Sequence, residues 1–123
     1  MKSWEERTLI EDVLANGVDD WVYAGWVAGI SARVTSDPAV IRHISIGLIA
    51  ELLLRGWMVA GDVLDDAHAP WQISIDAAIE RIAREWVDVG DAQLHPGQIV
   101  WLANTAAGDL IGNEVLTREA AHD

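Results

Sequence analysis

The strongest structural signal in this sequence is a helix start at Thr35-Ser36-Asp37-Pro38. A side chain that can cap a helix stands directly before a proline, and proline is favoured at the first helical position. Apolar side chains then repeat at helical spacing as far as Leu53, and Gly56 supplies a stop. The sequence therefore predicts a helix over residues 38–55.

The spacing of the apolar side chains changes directly after this helix. Residues 57–64 have the composition of a strand, residues 65–70 that of a loop, and residues 71–73 that of a short return strand. We therefore predict a β-hairpin over residues 57–73.

Two helices are predicted before residue 38. Ser3-Trp4-Glu5-Glu6 has the pattern of a capping box, which predicts a helix over residues 4–16 with Gly17 as its left-handed stop. Asp19 or Asp20 can cap a second helix over residues 20–31, and both carboxylates suit the positive end of the helix dipole.

A further helix is predicted over residues 75–88, with Ser74 as its cap. Residues 91–123 are harder to assign, because the apolar run over residues 98–102 is too short to show a period. A last helix over residues 105–121 would need a cap from Asn104 or Thr105, and it is weakened by Gly108 and Gly112.

Three helices, a hairpin and a further helix follow one another in the order of a winged helix. We predict a mainly α fold with a small β-hairpin, hence the α+β class, arranged as one winged-helix-like domain over residues 1–123. A length of 123 residues with 51% hydrophobic content suits one domain with its own core. A different structure for residues 91–123 would change this prediction to a plain helical bundle.

The net charge bears on the choice of partner. Twenty Asp and Glu residues against eight Lys and Arg residues give a formal charge of −12. This field opposes binding to nucleic acid and anionic membranes, and it favours a basic protein through electrostatically steered encounter. A surface that is simply well solvated is the alternative explanation. Because no run of 18 apolar residues and no basic, apolar leader is present, we expect a cytoplasmic protein without a membrane partner.

The winged helix is a common scaffold for DNA recognition, but the charges of this sequence oppose that function. A recognition helix and a wing need cations or amides to meet bases and phosphates. The charges between Asp37 and Gly61 sum to zero, and the predicted wing carries three carboxylates offset only by a histidine: Asp62, Asp65, Asp66 and His68. We therefore do not expect nucleic acid as a partner.

Residue patterns typical of catalysis are missing from the sequence. There is no cysteine, no Gly-rich phosphate loop and no paired spacing among the four histidines. The cluster of Asp62, Asp65, Asp66 and His68 offers ligands that suit calcium or magnesium, but not in the order of a calcium-hand loop. A solvated acidic turn or a partner-facing patch explains this cluster as well. We predict no enzyme, no cofactor and no metal.

Two segments carry a resemblance to known proteins. Leu52 to Asp62 (Leu-Leu-Leu-Arg-Gly-Trp-Met-Val-Ala-Gly-Asp) and Pro96 to Asp109 (Pro-Gly-Gln-Ile-Val-Trp-Leu-Ala-Asn-Thr-Ala-Ala-Gly-Asp) resemble small acidic proteins of actinobacteria. Some of these are similar to the immunity partners of polymorphic and contact-dependent growth inhibition toxins. The resemblance implies a small, acidic, cytoplasmic inhibitor without catalytic motifs. Immunity proteins are diverse in fold, so it carries over no functional residues.

These observations lead to a functional hypothesis. We expect an acidic protein-binding module, in its leading specific form an immunity protein that occludes the basic active site of a cognate toxin, with a nuclease as the expected toxin. The alternatives are a winged-helix transcription-related protein that binds DNA or a regulator, and a structural interaction protein. The seven tryptophans are interpreted mainly as core, although a partly exposed indole can anchor an interface. The expected contact residues are Asp62, Asp65, Asp66 and Trp71 in the hairpin, with Asp19 and Asp20 as a second patch.

Overall fold

The computed structural model describes residues 6–90 and 94–122. This part of the chain contains five helices and four strands in one antiparallel sheet, which confirms the predicted α+β class. The helices are α1 (Leu9–Asn16), α2 (Ala24–Ser31), α3 (Pro38–Leu54), α4 (Ile75–Val89) and α5 (Ala106–His122). The strands are β1 (Val22–Tyr23), β2 (Met58–Leu64), β3 (Ala67–Pro70) and β4 (Trp101–Asn104).

The four strands form one antiparallel sheet in the order β1-β4-β2-β3. Strand β4 comes from the segment that the sequence left unassigned, and it pairs with β1 on one side and with β2 on the other. Helices α1, α2 and α3 and the hairpin of β2 and β3 follow one another in the predicted order, but β1, which was not predicted, stands between α1 and α2. Strand β4 adds an inner strand between β1 and the hairpin.

Helices α3 and α4 confirm the caps expected from the sequence. The Asp37 carboxylate accepts a hydrogen bond from the Ala39 backbone N–H at 2.9 Å, directly before Pro38. The Ser74 hydroxyl accepts from the Ala77 N–H at 3.1 Å. Gly56 has φ 72° and turns the chain out of α3.

Helix α1 begins later than residue 4, the predicted start. Its capping box is formed by Thr8 and Glu11: the Glu11 N–H donates to the Thr8 hydroxyl at 3.1 Å, and the Thr8 N–H donates to the Glu11 carboxylate at 2.9 Å. Both Ser3 to Glu6 and Thr8 to Glu11 fit the sequence pattern, and Ser3 lies outside the described residues. Arg7 stands just before the Thr8 cap, and its guanidinium binds carboxylates of α1 and α5.

The predicted cap of the second helix is wrong. Neither Asp19 nor Asp20 caps α2, because Val22 and Tyr23 are extended and pair with β4 before the helix starts at Ala24. The Asp20 carboxylate accepts instead from the N–H of Trp21 at 2.8 Å.

The return strand of the hairpin is Ala67–Pro70, not residues 71–73. Asp65 and Asp66 have φ 51° and 62°, and a two-residue turn with both residues in the left-handed region matches the twist of the flanking strands. Pairing therefore resumes at once, with Ala67 opposite Leu64.

Helices α1 to α4 pack their apolar side chains on one face of the sheet. The sheet contributes alternate residues of its strands to the core, and the residues between them face outward. The core residues of the sheet are Met58, Ala60, Leu102 and Val22. Trp86 is buried in this core, whereas Trp26 is 40% exposed. No helix within residues 6–90 and 94–122 combines the length and apolar character needed to cross a membrane.

A buried ion network joins three helices. Asp12 is 7% exposed and accepts from the guanidinium groups of Arg7 and Arg33, each at 3.0 Å. Arg7 also binds Glu119 of α5, and this carboxylate raises the pKa of Arg7 above its ordinary value. The network therefore ties the start of α1 to the end of α2 and to α5.

Candidate protein-binding site

The structure brings Asp62 and Trp71 of the predicted hairpin patch together. The indole Nε1–H of Trp71 donates to the Asp62 carboxylate at 3.0 Å. On the Trp71 ring lies the guanidinium of Arg81, 3.7 Å from the ring centroid, and Arg81 also pairs with Glu85 at 2.7 Å. Trp71 is half-buried and held on two sides, so it forms a fixed wall of the surface.

Asp65 and Asp66 lie apart from this pair, at the exposed turn of the hairpin. Aspartate tolerates the left-handed backbone better than most residues, which gives the doubled aspartate a structural reason besides the predicted binding role. His68 lies on the other face of the hairpin from Asp62, with its Nε2 3.0 Å from the Trp101 carbonyl oxygen. The described residues contain no group of three or more His, Cys, Asp or Glu placed to hold a metal ion.

The second predicted patch lies in a cleft of about 340 Å³. Asp19 and Asp20 are exposed on one side, and Asp109 and Asn104 form the other. The Asn104 side-chain amide donates to the Leu14 carbonyl at 3.0 Å and to the Asp109 carboxylate at 3.1 Å, which fixes the position of Asp109. We name this site the acidic cleft: Asp19, Asp20, Asp109, Asn104 and Trp21.

Asp109 was missing from the residues expected from the sequence. Its position in the first turn of α5 is a usual place for an acidic side chain, so the sequence offers a local reason for it. Its neighbours depend on β4 pairing with β1, which brings residues about 90 positions apart into contact. No local pattern shows that pairing.

Gly17 is needed at the acidic cleft for a reason other than the predicted left-handed stop. Its φ is −79°, an ordinary helical value, so the predicted left-handed conformation is wrong. A Cβ at Gly17 would lie 2.8 Å from the Asn104 side-chain carbon, closer than real Cβ atoms approach. The glycine leaves room for the Asn104 amide that links α1 to α5.

Arginine side chains in the described part of the chain are largely neutralised by their own neighbours. Carboxylates pair with Arg7, Arg33, Arg55, Arg81, Arg84 and Arg118. In residues 6–90 and 94–122 no arginine lies at ion-pair distance from the three carboxylates of the acidic cleft, or from Asp65 and Asp66. The carboxylates of the cleft and of the hairpin turn are therefore not neutralised by the described arginines.

The cleft and the hairpin turn lie at opposite corners of the sheet. Asp20 precedes the edge strand β1 at the level of Asn104 and Met58, whereas Asp65 follows the far end of β2 beside the other edge strand. At about 3.3 Å per residue along a strand and about 4.8 Å between strands, the two corners are roughly 25 Å apart. The six expected contact residues therefore do not form one surface: Asp19 and Asp20 line the cleft, Asp62 and Trp71 form a pair, and Asp65 and Asp66 lie at the hairpin turn.

Comparison with known proteins identifies no relative: no family model, curated protein or solved structure matches the chain. The interpretation of the acidic cleft and of the hairpin residues therefore depends on their chemistry alone.

Proposed function

We propose that the protein binds a basic protein partner through the acidic cleft, and that it acts in the cell as an immunity protein. The observation that supports this is the convergence of Asp19, Asp20 and Asp109 on one cleft where no described arginine neutralises them. Asp109 is held by Asn104, so part of the cleft is ordered before a partner arrives.

A nuclease toxin is the specific partner that this chemistry suits. Nuclease clefts bind phosphates through lysine and arginine, and carboxylates can form the same charge-assisted hydrogen bonds. An inhibitor with a formal charge of −12 is attracted to such a cleft at long range, which raises the association rate. The mechanism is occlusion: the carboxylates of the inhibitor occupy the positions of substrate phosphates.

A transcription-related function is the second candidate, because three helices followed by a hairpin is the order from which a winged helix is predicted. The surface that would meet DNA favours the first candidate. The exposed residues of α3 include Val40, His43 and Glu51, and the turn of the hairpin presents Asp65 and Asp66 to solvent. Carboxylates at the wing would be repelled by the phosphate backbone.

The test is an affinity capture from native cell extract with three baits. The cleft variant carries Asp19→Asn, Asp20→Asn and Asp109→Asn, since asparagine keeps the hydrogen-bond acceptors and removes the charges. The control variant removes the same number of charges elsewhere, at the exposed Glu6, Asp88 and Glu114.

We expect wild type and control to retain one basic protein, and the cleft variant to bind it at least tenfold more weakly in a titration with the purified partner. Captured partner should also lose its enzymatic activity when mixed with wild type at a 1:1 ratio. Equal affinity of the cleft and control variants would show that charge at the cleft is not the contact. Recovery of DNA or a transcription complex would favour the regulator instead.

A further inference from the structure

An apolar groove of about 160 Å³ lies between the end of α3, strand β2 and the segment that leads into α4. Its lining includes Leu53, Met58, Trp71, Ile73 and Ile75. Pockets for drug-sized ligands usually measure about 300–1,000 Å³, so this groove has room for a single side chain.

Large apolar side chains remain exposed around the groove. Ile73 is 47% exposed, Ile75 is 45% exposed and Val59 is 37% exposed, and all three line it. Trp71 is held in the wall by its hydrogen bond to Asp62 and by Arg81, so the groove keeps its shape without an occupant. A concave apolar surface with fixed aromatic walls is typical of the anchor pockets in protein interfaces.

The apolar groove and the acidic cleft meet at consecutive residues. Asn104 lines the cleft and Thr105 lines the groove. Thr105 is fixed by three hydrogen bonds: its hydroxyl donates to the Gly56 carbonyl at 2.6 Å and accepts from the Gly108 N–H at 3.1 Å, and its N–H donates to the Trp57 carbonyl at 3.0 Å. The junction of β4 and α5 is therefore a rigid boundary between an apolar site and an acidic site.

Charge decides which occupant this pair of sites suits. A second copy of the chain would place a formal charge of −12 against another −12, which opposes self-association. A basic segment is attracted instead, and the Asp62 carboxylate, 3.0 Å from the indole nitrogen of Trp71, adds a negative charge next to the Trp71 wall of the groove. Arg81 offers little opposition, because Glu85 neutralises it.

We infer that the groove takes one aliphatic side chain from the basic segment whose lysines or arginines occupy the acidic cleft. This assignment rests on the proposed function and adds the specificity that charge alone does not give. The carboxylates of the cleft attract many basic proteins, whereas the groove selects those that carry an aliphatic residue at the right distance from their cations.

The experiment uses the full chain labelled with 15N and three synthetic nine-residue peptides. The first has one leucine between lysine and arginine residues, the second has serine in place of the leucine, and the third keeps the leucine but has glutamine in place of every cation. Titrations are followed by NMR chemical shifts and by fluorescence. Ile75→Ser removes a wall of the groove at an exposed position, and Val87→Ser is the matched control, because Val87 is a 61% exposed apolar residue on the same helix outside the groove.

We expect the leucine peptide to bind at least tenfold more tightly than the serine peptide and to shift the amide signals of Ile73 and Ile75. Ile75→Ser should abolish that preference, and Val87→Ser should leave it unchanged. Equal affinity for the leucine and serine peptides, with shifts confined to the acidic cleft, would overturn the groove assignment and leave the acidic binding function intact. Tightest binding of the cation-free peptide would support the groove as an apolar site but contradict the proposed basic partner. If no peptide shifts the groove amides, the assignment is wrong.

Discussion

The substitution Gly108→Ala tests how closely α5 packs against Trp57. Alanine normally favours a helix, but at this position it should destabilise the protein. Gly108 is buried in the first turns of α5. A Cβ there would overlap the carbonyl oxygen of Trp57 and lie 3.0 Å from its carbonyl carbon. The same carbonyl accepts the Thr105 N–H at 3.0 Å, so relieving the overlap strains the bond that fixes the β4–α5 junction.

The size of the effect follows from opposing contributions. In a helix interior, alanine stabilises the helix by about 1 kcal/mol relative to glycine. Overpacking against a fixed neighbour costs about 1–3 kcal/mol, and a weakened backbone hydrogen bond costs about 1 kcal/mol more. We expect a net loss of about 2 kcal/mol in the free energy of unfolding. With an unfolding entropy of about 0.26 kcal/mol per kelvin for a chain of this length, the Tm should fall by roughly 8 °C.

Urea denaturation and thermal melting of Gly108→Ala are compared with those of Gly47→Ala. Gly47 lies in the middle of α3 and is exposed, and a Cβ added there would meet no atom within 4 Å, so alanine should raise the free energy of unfolding by about 1 kcal/mol. A Gly108→Ala variant as stable as wild type would refute the close approach of α5 to Trp57. The position of Asp109, which α5 contributes to the cleft, would then also be wrong.

Two further predictions concern the ion pairs and the hairpin. The Arg118 guanidinium lowers the pKa of Glu11 below its ordinary value of 4.5, so this pair stabilises the fold fully above that value and loses its effect as the pH falls through the lowered pKa. The difference in free energy of unfolding between wild type and Arg118→Gln, measured in urea, should therefore be constant at neutral pH and shrink below about pH 4.5. A difference that grows on acidification would contradict the pairing. Asp66→Gly should raise the free energy of unfolding by about 0.5 kcal/mol, because glycine adopts the left-handed conformation without the steric cost; a loss of stability would show that the Asp66 side chain stabilises the turn.

Local chemistry was enough to predict α3 and α4. Their caps, Asp37 and Ser74, act through hydrogen bonds to residues two or three positions away, and Pro38 reinforces the first of them. The start of α1 was predicted too early, because two capping-box patterns, Ser3 to Glu6 and Thr8 to Glu11, stand close together in the sequence. The cap of α1 forms at the second of them.

Pairing between distant segments explains most of what the sequence did not predict. A two-residue strand such as β1 has no period to detect, and the four residues of β4 are too few to show one. The return strand was displaced because Ala67, His68 and Pro70 are weak strand formers, and the two-residue turn at Asp65 and Asp66 determines their pairing.

The candidate site was predicted only in part for the same reason. Asp19 and Asp20 were identified from their charge, and the structure adds Asp109 through the hydrogen bonds of Asn104. Asp62 and Trp71 do meet, but their hydrogen bond fixes Trp71 as a wall of the groove, and Asp65 and Asp66 lie on a separate surface.

The position of β4 in the sheet has a consequence for how the chain folds during synthesis. Strand β4 lies between β1 and β2 although it is the last of the four strands to be made. A nascent chain that has reached Gly90 contains both edge strands, but β1 has no partner and one side of β2 is unpaired. Unpaired strand edges invite association with other chains, and contacts between distant segments form slowly. The nascent protein should therefore depend most on chaperones in the interval before residues 101–104 close the sheet.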